Sequence, residues 1–484
     1  MTFTPTVEQV RASELFDLRE PMKIIAGAGT GKTATLKYIA DEHPDLRGQY
    51  VAFNRALVDE AKAKFPDSVS CRTSHSLAYG AIGWKYKDRL GAERKRARDL
   101  VRALDARSFI ARHGNYSAHL DDWQVVNVVM GTVARYCQSA DRDIGEQHIP
   151  VVAPLDPDHD KATWAQFQAV ILPMASRVWR ELQDPNGGTY RFTHDHYMKI
   201  WEQSEPYIDG DYLLIDEAQD VNPVLESVLF QQADRMQMVA VGDPNQTLYE
   251  WRNCVNSMER MDTPHVGYLT QSFRFGQRIA DYANQFLSML SSDLRLVGLP
   301  GRESVVEPLA KPDAILTRTN ATAVARLLSL REEGNFAHLV GGGEDVIRFC
   351  SAAMDLKQGR KTTHPELMGF DSWSDVIEYV NDEEDGADLK LLVDLTQRYG
   401  PLTIKQAIQQ MPVEEDADLV LSTLHKSKGR QWPKVQLAGD FSLDDDTPAS
   451  ELRILYVACT RAEYVLDPGM LLHNPQLMAV GEAA

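Results

Sequence analysis

The sequence predicts an α/β protein built on two parallel sheets flanked by helices, and three observations predict it. Lys23-Ile-Ile-Ala26 is a short apolar run that ends in glycines and leads into a helical segment from Thr33 to Ala40. Leu213-Leu-Ile215 is a second such run, tipped by Asp216 and Glu217. Further short apolar runs, Tyr50-Val-Ala52, Met238-Val-Ala-Val241, Ala314-Ile-Leu316 and Val435-Gln-Leu-Ala438, alternate with helical segments. Strands separated by helices cross over and pair in parallel.

The first run carries the strongest chemical signal. Ala26, Gly27, Ala28, Gly29, Thr30, Gly31, Lys32 and Thr33 form a strand–glycine loop–helix junction, the arrangement that cradles a nucleotide triphosphate. The three glycines let backbone N–H groups approach phosphate oxygens, and the helix N-terminus adds partial positive charge there. Lys32 would reach the β- and γ-phosphates, and the Thr33 hydroxyl would ligate Mg2+. The usual pattern begins with glycine, and here Ala26 stands first. At the tip of the second run, Asp216 would hold Mg2+ through water, with Glu217 beside the metal and placed to polarise the attacking water. Either segment alone could be an ordinary turn; together they point to nucleotide hydrolysis with ATP and Mg2+.

At 484 residues the chain is too long for one core, and two to four domains are expected. Its 43% hydrophobic and 25% charged content suits a globular protein. It has no run of 18 apolar residues and no signal peptide, so the expectation is a protein without membrane association, cytoplasmic or, in a eukaryote, nuclear. Five scattered cysteines without CxxC spacing argue against zinc or iron–sulfur sites. Consecutive His194, Asp195 and His196 would splay around a helix, so no metal is expected there either.

The formal net charge of −19 opposes nucleic-acid binding, but it is unevenly spread. Lys85–Asp99 holds seven basic residues against three acidic ones, which reads equally as a DNA-backbone contact or a solvated helix face. Acid collects at Asp382-Glu-Glu-Asp385, Glu414-Glu-Asp416 and Asp444-Asp-Asp446, read as solvated loops.

Further segments occur in a fixed order: Thr4-Pro-Thr-Val-Glu-Gln9, Phe53-Asn54-Arg55, Thr73-Ser-His75-Ser, Phe192-Thr-His-Asp-His-Tyr197, Val241-Gly-Asp-Pro-Asn-Gln-Thr-Leu-Tyr-Glu-Trp-Arg252, Leu269-Thr-Gln-Ser-Phe-Arg-Phe275, Leu421-Ser-Thr-Leu-His-Lys-Ser-Lys-Gly-Arg-Gln-Trp432 and Leu455-Tyr-Val-Ala-Cys-Thr-Arg-Ala462. With the phosphate loop and the Asp216–Asp220 segment, this series resembles superfamily 1 DNA helicases of the UvrD/PcrA/Rep type, in wording nearest to the F-box DNA helicase branch and its phage and bacterial relatives.

The resemblance implies a role for each position. Gln9 would read the adenine edge, and Phe273 would stack on the base, lacking the hydroxyl of the usual tyrosine. Gln246 would sense the γ-phosphate, and Arg274 and Arg461 would act as arginine fingers. Gln431, where the family usually has glutamate, would meet the sugar. Phe53, Asn54, Arg55, Thr73, His75, Tyr249, Trp251, Arg252, Thr423, His425 and Lys428 would line the path of nucleic acid, with the aromatics stacking on bases.

The implied architecture is two RecA-like motor domains, one over residues 1–81 and 190–265 and one over 266–340 and 413–484. A helical insertion, 82–189, interrupts the first; a shorter acidic one, 341–412, interrupts the second. In the first insertion Val126, Val129, Met130, Val133 and Cys137 form a helical stripe, read as a core face. The implied activity is ATP-dependent DNA unwinding and single-strand translocation, 3′→5′, on single-stranded or tailed duplex DNA. Repair, recombination or replication proteins are possible partners, and a monomer is compatible with this. The alternative is an ATP-driven nucleoprotein remodeller, or a DNA-binding switch with little strand separation.

Overall fold

Runs that are apolar at every position become central strands, because both their faces are covered. In the computed structural model, Tyr212–Ile215 and Gln237–Gly242 are buried throughout. The structure describes residues 4–52, 55–92, 95–113, 116–152, 155, 160–247, 257–382 and 387–477. In chain order the strands are β1 Met22–Ala26, β2 Gly48–Ala52, β3 Val69–Thr73, β4 Phe109–His113, β5 Tyr116–Leu120, β6 Tyr212–Ile215, β7 Gln237–Gly242, β8 His265–Leu269, β9 Val305–Val306, β10 Ala314–Thr317, β11 Ala337–Leu339, β12 Leu419–Thr423, β13 Trp432–Leu437 and β14 Ala462–Asp467.

Two six-stranded sheets result, ordered β3-β2-β6-β7-β1-β8 and β11-β12-β10-β13-β14-β9, and every pairing in both is parallel. The α/β class and the two RecA-like sheets are therefore as expected. The first sheet's core is formed by Ile24, Leu36, Ile39, Tyr50, Leu214 and Val239, among others. The second is built around Leu316, Val435, Leu455, Val457 and Leu466.

The chain divides into two compact units. One, 1–77, 207–341 and 411–484, carries both sheets; the other comprises 78–206 and 342–410. The two insertions thus pack together. In the helix Asp122–Tyr136 the fully buried Gln124 donates to the carbonyls of Thr362 (2.8 Å) and Met368 (2.6 Å) in the second insertion. The helical stripe is largely buried, as Val126, Val129, Val133 and Cys137 are, with Met130 half-buried.

Two placements differ from the sequence reading. The expected division at residue 265 falls at β8, which pairs with β1 and so belongs to the first sheet. As an edge strand with Tyr268 exposed, β8 lacks the wholly apolar signature of its neighbours. In the basic stretch, Arg89 is neither a solvated nor a DNA-facing residue. It is 6% exposed, donates to the Glu181 and Leu182 carbonyls at the end of the helix Lys161–Leu182, and pairs with the Glu181 carboxylate at 3.0 Å. A helix C-terminus attracts a cation. Among the described residues no helix is long and apolar enough to cross a membrane.

Candidate nucleotide site

Crossover connections put the loops after parallel strands on one edge of the sheet, where ligands bind. Here that edge collects the phosphate loop after β1, Asp216 and Glu217 after β6, Asp243 after β7 and the Leu269–Phe275 segment after β8. Gly29 and Gly31 adopt φ of 74° and 79°, which suits residues without a side chain. A Cβ on Gly29 would lie 2.7 Å from both Arg274 Cβ and Ser272 Oγ, so the loop packs tightly on the segment after β8. The Phe273 N–H seals that contact by donating to the Gly29 carbonyl at 2.8 Å. The helix Lys32–Glu42 then starts at Gly31.

The acidic pair meets this loop. Thr33 Oγ1 donates to Asp216 Oδ2 at 2.7 Å, and the Tyr50 hydroxyl donates to the same oxygen at 2.9 Å. Asp216 is 4% exposed; burial, and then the charge of Glu217, raise its pKa against these hydrogen bonds. Glu217 pairs with Lys32 at 3.3 Å. Burial pushes its carboxyl up, but Lys32 and Lys428 outweigh that and hold it at about 2. Its φ of 52° is left-handed, a strained conformation for a non-glycine residue of the kind held at functional sites. Gln219 keeps it there, donating to Glu217 Oε2 at 2.7 Å while accepting the Asp243 N–H at 3.1 Å.

Groups from the second sheet close over the same edge. Arg461, just before β14, is 2% exposed and donates to Gln246 Oε1 at 3.2 Å and to the Val457 carbonyl at 3.0 Å. Burial, and next the charge of Arg274, lower its pKa to about 9. Gln246 Nε2 donates to Asp243 Oδ2 at 2.7 Å. Lys428, after β12, donates to the Gln246 carbonyl at 2.9 Å and forms an ion pair with Asp220. Arg274 Nε donates to Gln431 Oε1 at 2.7 Å and Nη1 to the Thr460 carbonyl at 2.8 Å; burial lowers its pKa too. So Lys32, Thr33, Asp216, Glu217, Gln246, Lys428 and Arg461 form one connected cluster, and Arg274 and Gln431 join it through Thr460.

The two residues read as meeting the base, Phe273 and Gln9, lie beside Gly31. The Phe273 ring, 42% exposed, stands about 3.5 Å from where a Gly31 Cβ would be. Gln9 is buried; its Oε1 accepts the Thr6 N–H at 3.0 Å and its Nε2 donates to Thr35 at 3.1 Å. Of the residues read as nucleic-acid contacts, Thr73 ends β3, Thr423 ends β12, and His75 and His425 follow them in short helices. Arg55 is exposed beside Asp59. Phe53, Asn54, Tyr249, Trp251 and Arg252 lie outside the described residues. His194 and His196 serve a helix start, where His196 Nδ1 accepts the Thr193 N–H at 2.9 Å.

Sequence reading missed Tyr50, Gln219, Asp220 and Tyr456. All four lie inside segments the sequence singles out, but only their partners in the fold reveal a role. Burial raises the Asp220 carboxyl to about 6 against the pull of Lys428.

A glycine-rich cradle at a parallel strand's carboxyl end, with a threonine–aspartate pair beside it, defines a P-loop nucleotide-binding protein. The chain belongs to the AAA-domain family, whose model matches residues 9–252, and a UvrD-like helicase C-terminal domain matches residues 418–465. It is 28% identical to F-box DNA helicase 1 of Gallus gallus over 483 residues, covering 92% of this chain and 47% of that protein. It is 28% identical to F-box DNA helicase protein 1 of Schizosaccharomyces pombe over 493 residues, covering 92% and 55%. ATP-dependent DNA helicase UvrD2 of Mycobacterium tuberculosis is 23% identical over 546 residues, covering 92% and 75%. The chain spans about half the length of the two F-box relatives.

Proposed function

We propose that this chain is an ATP-driven motor that translocates 3′→5′ along single-stranded DNA and separates duplex ahead of it. The observation that carries the reading is Arg461 reaching Gln246 at 3.2 Å, a buried guanidinium from the second sheet at the phosphate-loop edge of the first. A hydrolysis site shared between two sheets converts phosphate chemistry into relative movement of the elements that grip a strand. Lys32 and the phosphate-loop N–H groups bind the β- and γ-phosphates, Glu217 orients water, and Arg274 and Arg461 meet the spread charge of the transferring group. Phe273 stacks on the base. Thr33 and the buried Asp216 carboxylate fit Mg2+, an oxygen-seeking cation that would neutralise phosphate charge. Arg55, Thr73, His75, Thr423 and His425, at or just after strand carboxyl ends, would contact the DNA backbone. The names of the relatives support DNA as the polymer.

Lys32→Ala should abolish ATP turnover while single-strand binding and the folded state persist; turnover at the wild-type rate would refute the assignment. Unwinding of paired 3′- and 5′-tailed duplexes with ATP tests polarity, and displacement of only the 3′-tailed substrate is expected. ATP hydrolysis stimulated by DNA with no displacement of either would favour a nucleoprotein remodeller.

A further inference from the structure

The Tyr456 hydroxyl joins three parts of the site at one atom. Its ring lies on the helix Ala449–Cys459, fully buried. The oxygen accepts the Ala28 N–H of the phosphate loop at 3.3 Å and donates to Asp243 Oδ2 at 2.7 Å. That same Oδ2 accepts Gln246 Nε2, whose amide oxygen accepts Arg461. The path leaves the phosphate loop through Tyr456, crosses Asp243 and returns through Gln246 to Arg461, five residues further along the chain. Asp243 is 0% exposed, so each bond in the path is shielded from water and each polarises the next. A phenol suits the junction because one atom both donates and accepts. Burial, and then the charge of Asp243, drive its pKa far up, which keeps the proton available for Asp243.

We propose that Tyr456 is a positioning residue that couples the phosphate loop to Gln246 and Arg461, so that occupancy of the loop sets how both are presented to the nucleotide. The inference rests on the ATP-hydrolysing reading above. Phenylalanine would fill the same space but leave the Ala28 N–H and Asp243 each short of a partner in a dry site.

In the full chain, Tyr456→Phe should lower kcat for ATP hydrolysis with oligo(dT) by about tenfold or more. KM for ATP should move by less than about threefold, since the lost bonds do not touch the nucleotide. Tyr456→Phe combined with Gln246→Ala should be no slower than Gln246→Ala alone, because both cut one path; a purely structural tyrosine would give losses that multiply. Multiplying losses, or a Tyr456→Phe kcat within about twofold of wild type, would overturn the coupling. Should Tyr456→Phe fail to fold, Asp243→Asn leaves the ring buried and alters the same junction; it should show the same loss of kcat, and full activity there overturns the proposal. A wild-type chain that hydrolyses no ATP would remove the parent reading as well, whereas an active wild type with an unaffected Tyr456→Phe removes only the coupling.

Discussion

The unit formed by the two insertions buries Lys199 against Glu202 and Arg89 against Glu181, whereas the unit that carries both sheets surrounds the buried Arg461 and the half-buried Arg274 with neutral oxygens. Lys199 is fully buried, 2.9 Å from Glu202 Oε2, with the Ser139 and Asp141 carbonyls at 2.9 and 2.7 Å and the Tyr136 ring beneath it. Arg461 instead meets the Val457 carbonyl, Gln246 Oε1 and Thr460 Oγ1, and Arg274 meets Gln431 Oε1 and the Thr460 carbonyl. No carboxylate of the described residues lies within ion-pair distance of either. A buried cation with its own carboxylate is neutralised, and its work is architectural. A cation whose direct partners are neutral, with carboxylates such as Glu217 acting only from further off, keeps more of its field, and a polyanion arriving beside it relieves the penalty of burial. In a chain of net charge −19, that is how a site can still attract a triphosphate.

The largest effect that would break this contrast is on turnover. Arg461→Ala should lower kcat by about 10³-fold or more, the scale of an arginine finger, and lysine should not restore it because the planar fork is lost. Arg89→Ala should lower the melting temperature and leave kcat per folded molecule unchanged. If steady-state kinetics find Arg461→Ala within about tenfold of wild type, with only its melting temperature reduced, Arg461 is architecture in the manner of Arg89.

The next effect is on stability and sharpens the other side. Lys199→Met removes the cation 2.9 Å from the Glu202 carboxylate, 7% exposed, and should cost about 3–5 kcal/mol in urea unfolding followed by tryptophan fluorescence. Adding Glu202→Leu should recover most of that loss, since an apolar pair can replace a buried ion pair. A double variant no more stable than the single one would mean that Lys199 acts through its carbonyl partners instead.

These contrasts mark where sequence reading reaches. The phosphate cradle, the strand before it and the Asp216–Glu217 tip were legible because each is contiguous, so local spacing alone determines its geometry. The two parallel sheets were legible because apolar runs alternating with helices allow little else. Tyr456 was not legible as a partner of the loop, for Ala28 lies 428 positions away. Arg89 read as one of seven surface cations because its acceptors sit about ninety positions downstream. The union of the two insertions hangs in part on Gln124, whose acceptors are 238 and 244 positions distant and are backbone carbonyls, which carry no residue-type signature. Buried polar partnerships over long range are thus what composition and periodicity miss.

The smallest effect is on pH dependence, where the buried histidines of one unit and Asp220 of the other should contribute with opposite sign. Burial lowers His196 and His364 of the insertion unit from 6.5 to about 4, so both are neutral in the folded state. Unfolded, each takes up a proton near pH 6.5. Between those values the unfolded chain binds more protons, so their contribution is fully present above pH 6.5 and is lost as pH falls toward 4. Asp220, raised from 3.8 to about 6, works the other way: the folded state holds the proton longer, and its contribution grows as pH falls through 6 toward 4. His196→Gln isolates one term, because glutamine three residues after Thr193 can still complete the capping box that His196 Nδ1 now completes. Its stability should fall less steeply than wild type between pH 6.5 and 4 in urea titrations at stepped pH. Parallel curves would mean that His196 is already charged in the folded protein, and that its acceptor bond to the Thr193 N–H is not what holds that helix start.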